Sequence, residues 1–235
     1  MKLAIGIATY QRADGTTPIY LSKALASIVK QIHQDYKVFL IGDKYENNNE
    51  FEAIAKSIIP QEKIYFENRS FAPERDRYKL GSRELWCSGG VGAYNHAIDI
   101  ALNQGFDYMC HLDHDDYWSE DHLSSINYVI ENTQNSALIY TCSKYINNWI
   151  LPRGFHLDNT ICEHAPVPEN AVHSSVCINH KLIPLKYRDV YLEQSRTVPA
   201  DLDMWNRIKE YLSKNSHLKS YLIKRTTCFH ELESH

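Results

Sequence analysis

The stretch "GGVGAYNHAIDIALNQGFDYMCHLDHDD", Gly89 to Asp116, joins a glycine-rich turn, an apolar helix pattern, a short strand and an acidic cluster. Its middle part repeats apolar side chains with the 3.6-residue period of a helix, and Gly105 suits the left-handed position that follows a helix end. The segment Tyr108–Leu112 has the pattern of a buried strand. The stretch therefore predicts a helix followed by a strand that carries acidic residues at its carboxyl end.

The acidic cluster "HLDHDD", His111 to Asp116, holds three carboxylates within four residues. Such groups repel one another unless a cation neutralises them. Oxygen ligands favour a hard ion such as Mg²⁺ or Mn²⁺, which proteins bind through one or two carboxylates together with substrate phosphates. Two alternatives are a plain polar loop and a zinc hydrolase motif of the H-x-H-x-D-H type, which fails here at Asp113 and Asp116.

The same alternation of strand and helix fills the first half of the chain. The predicted elements are a strand at Lys2–Thr9, a helix capped by Thr17 with Pro18 at its first position, a strand at Lys37–Ile41, a helix at Phe51–Ile58 and a strand at Lys63–Phe66. Alternation of this kind predicts a mainly parallel sheet with helices on both faces. Ligands of such sheets bind beyond the carboxyl ends of the strands, where Asp43 and the acidic cluster fall.

The second half is less regular. Ser119 is predicted to cap a helix, and a strand at Ala137–Cys142, a long loop or flap at Asn147–Pro168, a helix at Asp201–Leu212 and one or two closing strands follow. The basic segment Arg69–Arg83 has two interpretations. It is either a clamp that binds phosphates or an anionic acceptor, or it is a solvated loop. We expect one domain over residues 1–235, with a donor-binding half at about 1–116 and an acceptor-binding half at about 117–235.

Composition narrows the class of protein. A formal net charge of −4 argues against a broad nucleic-acid surface, which needs an excess of Lys and Arg. No apolar run approaches the roughly 18 residues of a membrane-spanning helix. The six cysteines are scattered without a C-x-x-C pair, which favours reduced thiols and a cytoplasmic location, in the cytosol or at the cytosolic face of a membrane.

Three motifs in order resemble the GT-A glycosyltransferases, and more specifically the inverting family 2. They are "IGIATYQR" at Ile5–Arg12, "LSKALASIVKQIHQDYKVFLIGD" at Leu21–Asp43, and the Gly89–Asp116 stretch. The resemblance covers about residues 3–125 well and the rest loosely. It implies a GT-A fold and the transfer, with inversion, of a sugar from a nucleotide-diphosphate donor. The donor would carry UDP in most cases, the acceptor would be a carbohydrate or another hydroxyl compound, and Mn²⁺ or Mg²⁺ would assist.

The resemblance also implies roles for individual residues on the donor side. Asp113 would accept from the ribose hydroxyls, and Asp115 would bind the metal with His230 as a further ligand. Asp116 would either support the metal ligands or begin the next helix. The implied nucleotide-binding residues are, besides Asp113, Thr9, Tyr10, Arg12, Asp43 and Asn95. Asp43 suits the N3–H of uracil because a carboxylate only accepts hydrogen bonds. An equal alternative, without the resemblance, is that Asp43 is only a turn residue after a strand.

The general base of the family is the aspartate of a Glu-Asp pair before a Trp-containing helix. In "TVPADLDMW", Asp201 takes that place, Ala200 replaces the usual glutamate, and Asp203 is the substitute candidate. A general base must take the proton of the acceptor hydroxyl. The alternative for Asp201 is a carboxylate that only stabilises a helix N-terminus.

Trp149 in the flap and His173 are candidates for contact with the acceptor, and a surface or core position is the alternative for His173. Two further functions remain open. A nucleotidyltransferase would use the same sheet, but "TYQRADG" lacks the G-x-G-x-R phosphate loop of such enzymes. A non-catalytic sugar or nucleotide binder is consistent with Ala200 in place of the glutamate.

Overall fold

The computed structural model describes residues 1–145, 148–166, 168–188 and 197–230. Within these ranges ten strands form one sheet, and seven α-helices accompany it. The strands are β1 (Leu3–Thr9), β2 (Tyr36–Gly42), β3 (Ile64–Asn68), β4 (Tyr108–His111), β5 (Tyr117–Trp118), β6 (Ser136–Lys144), β7 (Ile150–Leu151), β8 (Ile161–Glu163), β9 (Val176–Asn179) and β10 (Lys219–Phe229). The helices are α1 (Thr17–Val29), α2 (Asn48–Ile58), α3 (Pro73–Arg77), α4 (Arg83–Ser88), α5 (Val91–Asn103), α6 (His122–Asn132) and α7 (Ala200–Lys214).

The sheet is mixed and mainly parallel, as the alternating pattern predicts. Its order is β3-β2-β1-β4-β9-β6-β10-β5, with β7 on β6 and β8 on β10. The first four strands of this order run parallel to one another, and β10 runs parallel to β6. Strand β9 lies antiparallel between β4 and β6 and so joins the strands of the two predicted halves into one sheet.

Two hydrophobic cores cover opposite faces of the sheet, because side chains alternate along each strand. Leu3, Ile5 and Ile7 of β1 pack in the core that also contains residues of α1, α2 and α6. Ala4 and Ala8 pack in the other core, together with α5 and α7. The prediction of helices on both faces is therefore confirmed. No helix in the described ranges has the length and apolar content needed to cross a bilayer.

The sequence predictions for two helix starts were wrong. Helix α1 follows Thr16, and Thr17 instead accepts from the backbone N–H of Arg12 at 2.8 Å and donates to the Tyr10 carbonyl at 3.0 Å. Helix α6 follows Asp121, not Ser119. The delay has a physical reason: residues 117 and 118 first pair with β10 as strand β5. The predicted cap at Gly105 is confirmed by its φ of +81°.

Two segments predicted as loops contain regular structure. The segment between β3 and α5 folds into α3 and α4, where Glu74 is fully buried, so the solvated-loop alternative is wrong for α3. The flap is tied to the sheet by β7, which pairs with β6, and by β8, which pairs with β10. Asn147 and Val167, which belong to the predicted flap, lie outside the described residues.

Candidate active site

The carboxyl ends of β1, β2 and β4 bring the predicted donor-side residues to one edge of the sheet. Thr9 lies beside Gly42 in the parallel register, and the backbone N–H of Asp43 donates to the Thr9 carbonyl at 2.6 Å. On the other side of β1, the N–H of Leu112 donates to the Gly6 carbonyl at 3.0 Å. The turn after β1, Asp43 and the acidic cluster are therefore neighbours because of strand order.

Asp43, Arg75 and Tyr10 form one end of this edge. The Arg75 Nε donates to Asp43 Oδ2 at 3.2 Å, and the Arg75 guanidinium lies 3.7 Å from the centroid of the Tyr10 ring. Burial raises the pKa of Asp43, and the charges of Arg75 and Arg69 offset part of that shift. Sequence reasoning noted the arginines of this segment but did not single out Arg75, because only helix α3 brings it to Asp43.

A buried carboxyl group, Glu74, lies behind this end. Its Oε1 accepts from the backbone N–H of Gly92 at 3.2 Å. A Cβ on Gly92 would lie 2.6 Å from Arg69 Nη1 and 3.2 Å from Glu74 Oε2, so a larger residue there would displace the Arg69 side chain. Burial and the negative charge of Asp43 raise the pKa of Glu74 to about 7, although the Gly92 N–H and Arg69 act in the opposite direction.

The raised pKa of Glu74 predicts a pH-dependent stability. The folded state binds the Glu74 proton more tightly than the unfolded state, whose pKa is near 4.5. The free energy of unfolding should therefore fall as pH rises from about 4.5 to about 7 and stay low above that range. Glu74→Gln should remove roughly 2–3 kcal/mol of this fall. Urea denaturation at pH 5, 6, 7 and 8 measures it.

The matched control for this prediction is Glu62→Gln, because Glu62 is exposed. This variant should follow the wild-type dependence of unfolding free energy on pH. If Glu74→Gln also ran parallel to the wild type between pH 5 and 8, the buried carboxyl group would not be the source of the dependence.

The three carboxylates of the acidic cluster have different partners. Asp113 Oδ1 accepts from the Tyr94 hydroxyl at 2.8 Å and lies 2.8 Å from His173 Nδ1. Asp115 Oδ2 lies 3.6 Å from Arg12 Nη2, and Asp116 Oδ1 lies 2.9 Å from His230 Nδ1. The side chains of the protein itself thus offset part of the repulsion that the sequence predicts.

These partners shift the acidity of the cluster. Burial alone would raise the pKa of Asp113, but the charge and hydrogen bond of His173 and the hydroxyl of Tyr94 hold it well below its usual range. Burial raises the pKa of Asp116 to about 6, although His230 opposes the shift. Burial would lower the pKa of His230, but its hydrogen bond to Asp116 and the nearby carboxylates raise it. Strand β5 starts directly after Asp116, so this residue supports His230 and does not begin a helix.

Asp115 and His230 suit a divalent cation that takes most of its ligands from a diphosphate. Mg²⁺ and Mn²⁺ are usually held by one or two carboxylates and substrate phosphates. His230 is bound through Nδ1 to a carboxylate, which is how proteins orient an imidazole that binds metal through Nε2. The described part of the chain contains no group of three or more His, Cys, Asp or Glu side chains that could hold a metal, so a closed protein cage is absent there.

The other two histidines of the cluster contact side chains of the protein itself. His114 meets the ring of Tyr10 edge-to-face at 5.2 Å. His111 is fully buried and lies 2.9 Å from His173, so it reaches Asp113 through His173 and not directly. Neither contact resembles the zinc arrangement that the H-x-H-x-D-H alternative requires.

Two predicted site residues are engaged inside the protein. The amide of Asn95 donates to the Tyr187 carbonyl at 3.0 Å and accepts from the Tyr187 N–H at 2.9 Å, so this geometry does not support the nucleotide-binding role predicted for it. His173 is 8% exposed and binds Asp113, so its side chain has the core position that was the alternative to contact with the acceptor. Residue spacing alone could not identify either partner.

Asp201 and Asp203 differ sharply at the start of α7. Asp201 Oδ1 accepts from the Leu202 N–H at 2.7 Å, and burial raises the pKa of Asp201 while the charge of His173 offsets part of the rise. Asp203 lies 3.0 Å from Arg188 Nε and 2.7 Å from Arg207 Nε. The ion pairs hold Asp203 in place, so it is a poor substitute for a general base.

Tyr145, which lies just before the flap, links the flap to the site. The Tyr145 ring stacks on His230 at a centroid distance of 4.5 Å, and its N–H donates to the Trp149 carbonyl at 2.7 Å. Trp149 is 50% exposed and packs against Arg153 at 4.3 Å. Trp118 and Trp205 are buried. Trp149 therefore has an exposed ring, whereas the other two do not present one to a sugar.

Known proteins resemble this chain in sequence and in structure. The model of the family "Glycosyl transferase family 2" matches residues 4–164. The "Uncharacterized glycosyltransferase R139" of Acanthamoeba polyphaga mimivirus is 34% identical over 238 residues, which cover 99% of this chain and 95% of that protein. Both similarities include the turn after β1, Asp43 and the acidic cluster.

Two solved structures share the fold at low sequence identity. S. aureus TarS 1-349 in complex with UDP-GlcNAc gives a TM-score of 0.69 at 14% identity, over 100% of this chain and 60% of that one. The mannosyltransferase PcManGT from Pyrobaculum calidifontis, in complex with GDP-Man and Mn²⁺, gives 0.59 at 12% identity, over 99% and 57%. The chain thus spans about 60% of the length of these proteins.

Proposed function

The chain belongs to glycosyl transferase family 2, and from this premise we propose that it moves a sugar from a UDP-linked donor to a hydroxyl acceptor with inversion. It is a glycosyltransferase with the GT-A fold, as the sequence motifs predicted. In this proposal residues 1–235 form one domain, with the donor bound by about residues 1–116 and the acceptor by about 117–235.

The observation that carries the choice of donor is the pairing of Asp43 with Arg75 beside Tyr10. A carboxylate only accepts hydrogen bonds and a guanidinium only donates them. Together they would complement the N3–H and an adjacent carbonyl of uracil. Because the Arg75 guanidinium covers one face of the Tyr10 ring at 3.7 Å, the base would stack on the guanidinium or on the opposite face of the ring. The UDP-GlcNAc complex of TarS supports this choice, whereas the GDP-Man complex of PcManGT makes guanine the base to test against it.

The acidic cluster suits the remainder of the donor. Asp113, which is fixed at Oδ1, would accept from the ribose hydroxyls, and Asp115 with His230 would hold Mn²⁺ or Mg²⁺ against the diphosphate. Such an ion, when bound, neutralises the charge that develops on the departing diphosphate. Arg12, 3.6 Å from Asp115, adds a permanent positive charge on the same side. Thr9 is buried beneath this edge and contributes its carbonyl to the Asp43 backbone.

Asp201 is the proposed general base. It would take the proton of the acceptor hydroxyl while the acceptor oxygen bonds to the anomeric carbon from the face opposite the diphosphate. The bond between that carbon and the diphosphate oxygen breaks, and UDP leaves. The raised pKa of Asp201 suits this role, because a base of higher pKa takes a proton more readily. Trp149 is the proposed stacking residue for the acceptor.

A screen of UDP-, GDP- and TDP-sugars with and without Mn²⁺ tests the proposal. A UDP-sugar with Mn²⁺ at about 100 times its Kd should raise the melting temperature by roughly 5–10 °C. Release of UDP, measured by chromatography, should follow with the correct sugar. A larger shift with GDP-sugars would contradict the uracil assignment. Binding of every donor without release of nucleotide, with or without simple sugar acceptors, would favour the non-catalytic binder.

A further inference from the structure

A chain of buried hydrogen bonds runs from Asp113 into the interior of the protein. His173 Nδ1 lies 2.8 Å from Asp113 Oδ1, and His173 Nε2 lies 2.6 Å from the Tyr187 hydroxyl. The same hydroxyl lies 3.0 Å from His111 Nδ1. His173, Tyr187 and His111 are 8%, 5% and 0% exposed, so water does not compete for these bonds. The contacts proposed above for the nucleotide-sugar donor do not involve His173, Tyr187 or His111.

The chemistry of the groups gives the chain a direction. The Asp113 carboxylate accepts, so His173 donates through Nδ1. Burial lowers the pKa of His111 well below its ordinary value, so His111 is neutral and its Nδ1 can accept from the Tyr187 hydroxyl. Tyr187 in turn accepts from Nε2 of His173. Nε2 of His173 also lies 2.9 Å from Nδ1 of His111, so both the hydroxyl and the second imidazole hold this side of the His173 ring. The charge of Asp113 raises the pKa of His173 against the effect of burial and so favours the protonated ring.

Residues of several secondary-structure elements hold this series of hydrogen bonds in place. Asn95 of α5 holds the backbone of Tyr187 at both its N–H and its carbonyl. Tyr94, also on α5, donates to Asp113 Oδ1, and Ser174 Oγ accepts from the Asp113 N–H at 2.9 Å. Both interior bonds to the carboxylate therefore end on Oδ1, while 34% of the side chain is exposed. We therefore place the second oxygen on the exposed side of the carboxylate.

We propose that His173, Tyr187 and His111 are positioning residues, which orient the Asp113 carboxylate so that its outer oxygen accepts from the ribose hydroxyls of the donor. The inference rests on the proposed function, because it assumes that Asp113 binds ribose. It explains why three polar side chains occupy the interior behind a surface carboxylate. The chain thus acts through Asp113 and does not touch the reacting atoms.

The test compares UDP with 2′,3′-dideoxy-UDP by calorimetry. Loss of both ribose hydroxyls should weaken binding to the wild type by about tenfold or more, since hydrogen bonds to a charged group have that strength. In His173→Leu the ratio of the two dissociation constants should fall toward one, because the freed carboxylate no longer faces the hydroxyls. His173→Asn, which keeps a donor near the position of Nδ1, should recover part of the ratio. Tyr187→Phe should give an intermediate value.

The matched control is Tyr108→Phe. Tyr108 is also a buried tyrosine, and its hydroxyl donates to the Ser136 carbonyl at 2.9 Å, at the opposite end of β4. This variant should keep the wild-type ratio. A high wild-type ratio that survives unchanged in folded His173→Leu and Tyr187→Phe would overturn the positioning role alone. A wild-type ratio near one would instead overturn the assignment of Asp113 to ribose, and with it the inference.

Discussion

Asp201→Asn is expected to lower kcat by about 10²–10⁴-fold, the usual contribution of a general base, and to leave the Kd for UDP unchanged. Asparagine has the shape of aspartate and can still accept from the Leu202 N–H, which Asp201 Oδ1 does at 2.7 Å. The amide cannot take the proton of the acceptor hydroxyl. Initial rates with saturating donor, together with calorimetry of UDP, separate the loss of chemistry from a loss of binding.

Asp203→Asn is the matched control for this experiment. Asp203 lies on the same helix, two residues further along, but forms ion pairs with Arg188 and Arg207. Its replacement should lower the free energy of unfolding and have only a small effect on kcat. The opposite pattern, with turnover lost in Asp203→Asn and kept in Asp201→Asn, would transfer the role of base to Asp203. In the wild type, kcat/KM should also fall toward acid through a pKa above the ordinary aspartate value, because burial raises the pKa of Asp201.

The architecture could be predicted from the sequence because the spacing of apolar residues within one segment shows which side of a helix or strand is buried. The strands β1, β2 and β4 and the helices α1, α2 and α5 all follow apolar patterns that a single segment reveals. Helix starts were less predictable, and the start of α6 depends on a distant partner. Strand β5 takes residues 117 and 118 because β10, more than 100 residues later, is there to pair with them.

The site was predictable only where position along a strand determines it. Asp43 and Asp113 follow buried strands, so their place at the edge of the sheet follows from topology. The partner of each carboxylate does not follow from topology, because Arg75, His173 and His230 reach Asp43, Asp113 and Asp116 from segments that are remote in sequence. A histidine or arginine gives no periodic signal, and its neighbours emerge only when the chain has folded.

Removal of the proposed metal ligand should have the second large effect. In the wild type, EDTA should weaken the binding of UDP by at least about tenfold relative to buffer with Mn²⁺, and Asp115→Asn should bind UDP equally in both conditions. Calorimetry in the two buffers measures this difference directly and does not depend on turnover. The control is Asp107→Asn, since Asp107 precedes β4 at the end remote from the cluster and lies 3.7 Å from Lys181.

The contact between Arg12 and Asp115 sharpens the expectation for binding without metal. The wild-type carboxylate lies 3.6 Å from the guanidinium, and both groups are largely buried. When Asp115 becomes neutral, a negative charge facing the diphosphate disappears and the charge of Arg12 is no longer offset. UDP in EDTA should therefore bind Asp115→Asn at least as well as it binds the wild type. A variant that lost affinity in EDTA as well, or that kept its response to Mn²⁺, would show that Asp115 holds the nucleotide or the fold by a means other than the ion.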